Sequence, residues 1–152
     1  LKETGRVRAI GFSCHDRQLA LSLARELEPD VMMLRYNAAH RGVEREVFEP
    51  LAEKRPAIIA YTSTRWGMLL RPVPSEGFPA PLRAPECYRF VLAHPSVDMA
   101  FCAAHTLGEL IEDIEGVNAG PPEPARMEEI RRFGDAVHKT AKGGGRFMFR
   151  QG

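Results

Sequence analysis

Four tandem strand–helix units of α/β type, one half of a (β/α)8 barrel, are what this sequence predicts, and three observations carry the prediction. Short runs rich in apolar and β-branched residues alternate four times with stretches of helical periodicity, the pattern of βαβ units around a parallel sheet. The loop after the first run, Gly11-Phe12-Ser13-Cys14-His15-Asp16, lacks the G-x-G-x-x-G spacing that nucleotide-binding doubly wound sheets often carry there, which turns the choice toward a barrel. The 152 residues are 44% apolar and 27% charged, the make-up of a globular domain rather than a disordered chain. Four strands cannot close a barrel of ordinary dimensions, so something must cover the open edges and the inner face, or a second copy of the chain does so.

The first strand is expected over Val7 to Phe12, followed by a helix with Asp16 as N-cap and Leu19, Leu23 and Leu27 on its inner face. The second runs from Val31 to Tyr36. After a polar turn, residues 37 to 42, a helix follows with Val43, Val47, Phe48 and Leu51 on one side. The third, Ala57 to Tyr61, leads into a connection from Arg71 to Pro85 whose Pro and Gly density predicts an irregular excursion. Helix returns over Glu86 to Ala93. The fourth strand, Val97 to Ala103, precedes a capping box of Thr106 and Glu109 and an apolar stripe of Leu107, Leu110, Ile111, Ile114 and Val117. A last amphipathic helix carries Met127, Ile130, Phe133 and Val137. The half barrel is thus assigned to residues 1–142, and 143–152, opening on three glycines, to a flexible tail.

With 21 basic and 20 acidic residues the formal charge is +1, which gives no field to draw nucleic acid or an anionic membrane to the surface. No apolar run approaches the roughly 20 residues that span a bilayer. Leu1 to Arg6 have no signal-peptide layout, and the first residue reads as mid-protein. Three distant cysteines, Cys14, Cys87 and Cys102, suit a reducing compartment, so a cytoplasmic location is expected.

Gly5 to Ser13 (GRVRAIGFS) resembles the fifth barrel strand of the aldo-keto reductases, and three further stretches resemble its successors in order. These are Asp30 to Asn37, Ile58 to Thr64, and Tyr88 to Pro95 with Val97 to Val117. The resemblance implies the C-terminal half of a TIM-type barrel, strands five to eight, of an oxidoreductase that reduces a small-molecule carbonyl substrate with NADP or NAD. It implies that Tyr61 stacks on the nicotinamide, that Ser13 and Cys14 meet its carboxamide, and that Thr62, Ser63, Thr64 and Arg65 hold the pyrophosphate. An aromatic face suits a flat heteroaromatic ring, and hydroxyls and amides suit phosphate oxygens. A strand tyrosine packed in the core, and turn or capping roles for Thr62 to Thr64, are the structural alternatives.

Met33 stands where the family has a glutamine. Where it offers lysine, serine and arginine to a 2'-phosphate and then an asparagine near adenine, Ala103, Ala104, Glu109 and Asp113 stand here, and Glu109 would repel such a phosphate. The family's proton donor and its partners come from the first four strands, so no residue of this chain is assigned a catalytic role, and the chain is expected to be silent without its N-terminal half. A rival chemistry is a mixed zinc site from Cys14, His15, His40, Cys102 and His105 at the strand ends, although these residues show no duplicated ligand spacing. A non-catalytic subunit that self-associates through its open edges is the third reading.

Overall fold

The structure, a computed structural model, describes residues 1–143. Its centre is a four-stranded parallel sheet in sequential order: β1 (Gly11–Cys14), β2 (Val31–Arg35), β3 (Ala57–Tyr61) and β4 (Met99–Ala100). The helices are α1 (Arg17–Leu27), α2 (Ala84–Leu92), α3 (Leu107–Asn118) and α4 (Pro124–Gly143). Sequential parallel order with a crossover after every strand is the topology of an α/β half barrel. The tail assigned to 143–152 lies outside the described residues except for Gly143, which closes α4.

Side-chain alternation gives the sheet two unlike faces. Met32 and Leu34 of β2 and Ile58 and Ala60 of β3 are fully buried, sealed by Ala20 and Ala24 of α1, Phe90 and Val91 of α2, and Ile130, Phe133 and Val137 of α4. One residue out of phase, Ser13, Met33, Ile59 and Met99 form a cross-strand row that belongs to no buried cluster, with Ser13 and Met99 exposed. A doubly wound sheet would cover both faces; here helices seal one.

Several elements differ from expectation, each for a physical reason. The first ladder begins at Gly11 rather than Val7, because turns precede it and Ile10 is tied to the start of β2 from outside the ladder, its carbonyl accepting from the amides of Asp30 (2.8 Å) and Val31 (3.3 Å) and its amide donating to the Asp30 carboxylate (2.8 Å). Asp16 caps α1 as expected, its carboxylate accepting from the Leu19 amide at 2.9 Å. The inner face of that helix, however, is Ala20 and Ala24, with Leu19 51% and Leu27 60% exposed, since two alanines let the helix lie close to the sheet. After β2 the expected face does form, with Val43, Val47, Phe48 and Leu51 buried. It sits on a π-helical turn (Glu44–Phe48) running into a 3₁₀ turn (Glu49–Leu51), because Pro50 has no amide hydrogen to continue an α-helical ladder.

Residues 71 to 83 are irregular, interrupted by a 3₁₀ turn (Pro74–Glu76) and a Val73–Phe78 bridge that seats Phe78 edge-on against Phe133 at 5.2 Å, and helix resumes at Ala84 rather than Glu86 because Pro85 is tolerated in a first helical turn. In β4 only Met99 and Ala100 pair, because this strand has β3 on one side and no neighbour on the other. The capping box of α3 is present, Thr106 accepting from the Glu109 amide at 3.2 Å. Its apolar stripe is not buried: Leu107, Leu110, Ile111 and Ile114 are all exposed, for α3 packs on α2 beside that open edge. Both free edges and the bare face thus lie where a complete barrel would have its other half.

Candidate functional site

The C-terminal ends of the parallel strands bring the candidate residues to one rim, where the βα loops of a barrel project. Ser13 lies on the bare face, in register with Met33 and Ile59, and Tyr61 ends β3 on the same face, in register with Arg35. The hydroxyl of Tyr61 shares a hydrogen bond with Nδ1 of His15 at 2.7 Å, and the two rings meet edge to face. Partial burial raises the Tyr61 pKa, and Arg35 pulls the other way. Cys14, by contrast, alternates to the helix-covered face, where its Sγ donates to the Asp16 carbonyl at 3.2 Å and the side chain packs on the core. Ser13 and Tyr61 therefore share a surface that Cys14 does not.

Past Tyr61 the chain turns sharply, with Thr62, Arg65 and Trp66 all at positive φ (56°, 53° and 52°). Such conformations are costly for residues with a Cβ and persist where surrounding contacts impose them. One such contact is Asn37, fully buried, which donates from Nδ2 to the Thr62 carbonyl at 2.8 Å while its Oδ1 accepts from the Ala39 amide at 3.0 Å. Thr62 Oγ1 donates to the Tyr61 carbonyl, and Thr64 Oγ1 accepts from the Gly67 amide at 3.3 Å, so both hydroxyls serve the turn. Arg65 is not a solvated surface arginine. It is 7% exposed and donates from one terminal nitrogen to the Val137 carbonyl at 2.9 Å. Ser63 Oγ and Arg65 Nε are buried with no hydrogen-bond partner among the described residues, an unusual cost at one short loop. Gly134 lets α4 come up beneath this rim, since a Cβ there would stand 2.1 Å from the Ala38 carbonyl oxygen.

The rim changes sign along its length. Near β1 and β2 a crevice lined by Cys14, His15, Arg17, Arg35 and His40 holds cations and no carboxylate. Burial pushes the His40 imidazole down to about 4, and Arg35, Arg65, His138 and Arg17 add to the effect. Beyond β4 a cleft of about 350 Å³ contains Thr64, Trp66, His105, Glu109, Glu112 and Asp113. Burial raises the Asp113 carboxyl, with Glu112 and Glu109 reinforcing it, although Cys102 donates to it at 3.2 Å. Of these carboxylates Glu112 is paired, with Arg83 at 2.7 Å.

Arg35 and Asn37 are not among the residues that the sequence singles out for binding, and His15 is singled out there only as a metal ligand. A charged residue two positions after Met33 in an alternating strand was the available signal, since it had to share the face of Ser13 and Met33. Among the described residues no group of three or more His, Cys, Asp or Glu is placed to hold a metal ion, and Cys102 bonds to Asp113 of α3 while Cys14, His15 and His40 line the crevice by β1 and β2. Nor is any described helix long and apolar enough to cross a membrane.

No protein-family model matches the sequence, and no curated protein matches it. Solved structures do. The holo form of aldo-keto reductase AKR11C1 from Bacillus halodurans superposes over 99% of this chain with a TM-score of 0.69 at 20% identity. The apo form of the same enzyme superposes equally far, with a TM-score of 0.68 at 20% identity. The chain spans 56% and 57% of the length of those two structures. The sheet order, the one-sided helix layer and these superpositions agree: this chain has the α/β half-barrel fold of part of an aldo-keto reductase.

Proposed function

We propose that this chain supplies the nicotinamide and pyrophosphate platform of an NAD(P)-dependent carbonyl oxidoreductase whose barrel is closed by a second half. The observation that carries the reading is the joint placement of Ser13 and Tyr61 on the bare sheet face, next to a strained loop whose Ser63 Oγ and Arg65 Nε lack partners. Orphaned buried donors and acceptors fit a group rich in oxygen lone pairs and hydrogen-bonding hydroxyls, as a dinucleotide is. Tyr61 would offer its ring to the nicotinamide, Ser13 a hydroxyl to the carboxamide, and the 62–65 loop its amides to the pyrophosphate. Bound there, the dinucleotide supplies hydride chemistry. The protein's share is to orient that ring and keep water from it.

The acidic cleft beyond β4 supports NADH over NADPH. It continues from Thr64, and Glu109, Glu112 and Asp113 would meet a 2'-phosphate with like charge. Protonation of a reduced carbonyl needs a positioned acid, and none of the rim residues is placed as one on the bare face except the Tyr61–His15 pair, which the ring-stacking role occupies. We therefore expect the chain alone to be silent toward aldehydes and ketones and active only with its other half. The free thiols of Cys14, Cys87 and Cys102 favour a reducing, cytoplasmic setting.

Titration of the completed barrel with NADH and NADPH, followed by its melting point and by quenching of Trp66 fluorescence, tests this. Stabilisation by NADH at lower concentration than by NADPH is expected; no stabilisation by either dinucleotide would remove the proposal.

A further inference from the structure

Arg35 has no task in the platform described above. It ends β2 beside Tyr61, and by alternation with the buried Leu34 its side chain belongs to the bare face, where it also lines the crevice with His15 and His40. The neighbouring arginines are all engaged: Arg17 with Glu46 at 2.8 Å, Arg41 with Asp135 at 2.7 Å, and Arg65 with the Val137 carbonyl at 2.9 Å. The Arg35 side chain forms no hydrogen bond or ion pair among the described residues. Burial, and after it the Arg35 charge, lower the pKa values of His40 and Arg65, and no carboxylate lines the crevice.

A half-buried guanidinium with no carboxylate partner is an unfilled donor set, and an anion brought to it would satisfy that set. A planar fork of N–H donors matches two oxygens of a carboxylate or phosphate, better than any single-point cation would. We propose that Arg35, flanked by His15 and His40, forms an oxyanion subsite for a carboxylate or phosphate on the ligand that lies against Tyr61. The identity of that ligand rests on the dinucleotide reading; the subsite itself rests on the charges. If the oxyanion is a carboxylate, the substrate class is a carbonyl compound that also carries an acid group. If it is a phosphate, it belongs to the dinucleotide.

The experiment follows the His15 and His40 ring resonances by NMR in the completed barrel while pyruvate or inorganic pyrophosphate is added at constant ionic strength, with NADH titrated in parallel. The subsite predicts saturable shifts and a higher His40 titration midpoint with one of the two anions. Binding should weaken roughly tenfold in Arg35→Met, the loss of one charge-assisted bidentate contact, and recover partly in Arg35→Lys. Response to pyruvate alone identifies a substrate carboxylate, and response to pyrophosphate alone a cofactor phosphate; either supports the subsite. NADH binding with no response to either anion, or equal anion binding by Arg35→Met of unchanged melting point, overturns the subsite and leaves the platform standing. Anion binding without NADH binding does the reverse.

Discussion

Two faces of one sheet, a single residue out of step, meet opposite environments. Met32, Leu34, Ile58 and Ala60 lie beneath three helices and are lost to solvent, whereas Ser13, Met33, Ile59 and Met99 look into a space that this chain does not fill. The covered face has the composition of a core and does the work of stability. The other carries a serine, two methionines and an isoleucine across its middle and ends in Tyr61 and Arg35, a mixture that suits neither a dry core nor a solvated surface. In a barrel that face is the inner wall, and its upper end is where binding groups gather. The contrast teaches that stability and candidate chemistry were assigned to alternate residues of the same strands.

The largest test of that division is Phe133→Ala. Phe133 is 2% exposed and meets Phe78 edge to face, so its loss should cost about 3–5 kcal/mol in denaturant unfolding. A cost below about 1 kcal/mol would show that the helix layer does not seal the sheet.

An intermediate effect is expected from pH at the boundary between the two faces. His40 titrates at about 4 in the folded chain against an ordinary value of 6.5. The unfolded chain therefore takes up the proton first, and stability is present above pH 6.5 and lost as pH falls toward 4. The loss is on the order of 1–2 kcal/mol once solvent screening at this half-buried ring is allowed for. Unfolding curves of wild type and His40→Gln between those pH values check it, because the variant should lose this part of the slope. An identical slope in both would place the charge burden elsewhere.

The smallest effect sharpens the comparison most. Met99 is 52% exposed on the bare face, and Met99→Ser should change the stability of the chain alone by no more than about 0.5 kcal/mol. In the closed barrel the same substitution should cost more, as the side chain becomes buried. Equal effects in both states would mean that nothing covers this face.

Much of this was legible in the sequence. Alternating strand and helix patterns gave the unit order, and the capping residues Asp16 and Thr106 marked two helix starts correctly. The rim position of Ser13 and Tyr61 followed from where their strands end. Strand edges and helix faces were less legible, because periodicity cannot tell whether a leucine stripe is met by a neighbour: Leu19 and Leu27 yielded to two alanines, and the stripe on α3 stayed exposed although that helix packs on α2. The inward turn of Arg65 depended on α4 arriving from 72 residues away, a contact no local pattern reports. The isolation of Arg35 depended likewise on where the carboxylates of other segments settle.

The proposed platform requires the Tyr61 ring to meet a nicotinamide. Nuclear Overhauser measurements on the completed barrel with NADH bound should connect the Tyr61 ring protons to those of the nicotinamide, and Tyr61→Leu should abolish that connection and weaken binding. NADH bound with its nicotinamide remote from Tyr61, or bound equally well by Tyr61→Leu, would contradict it.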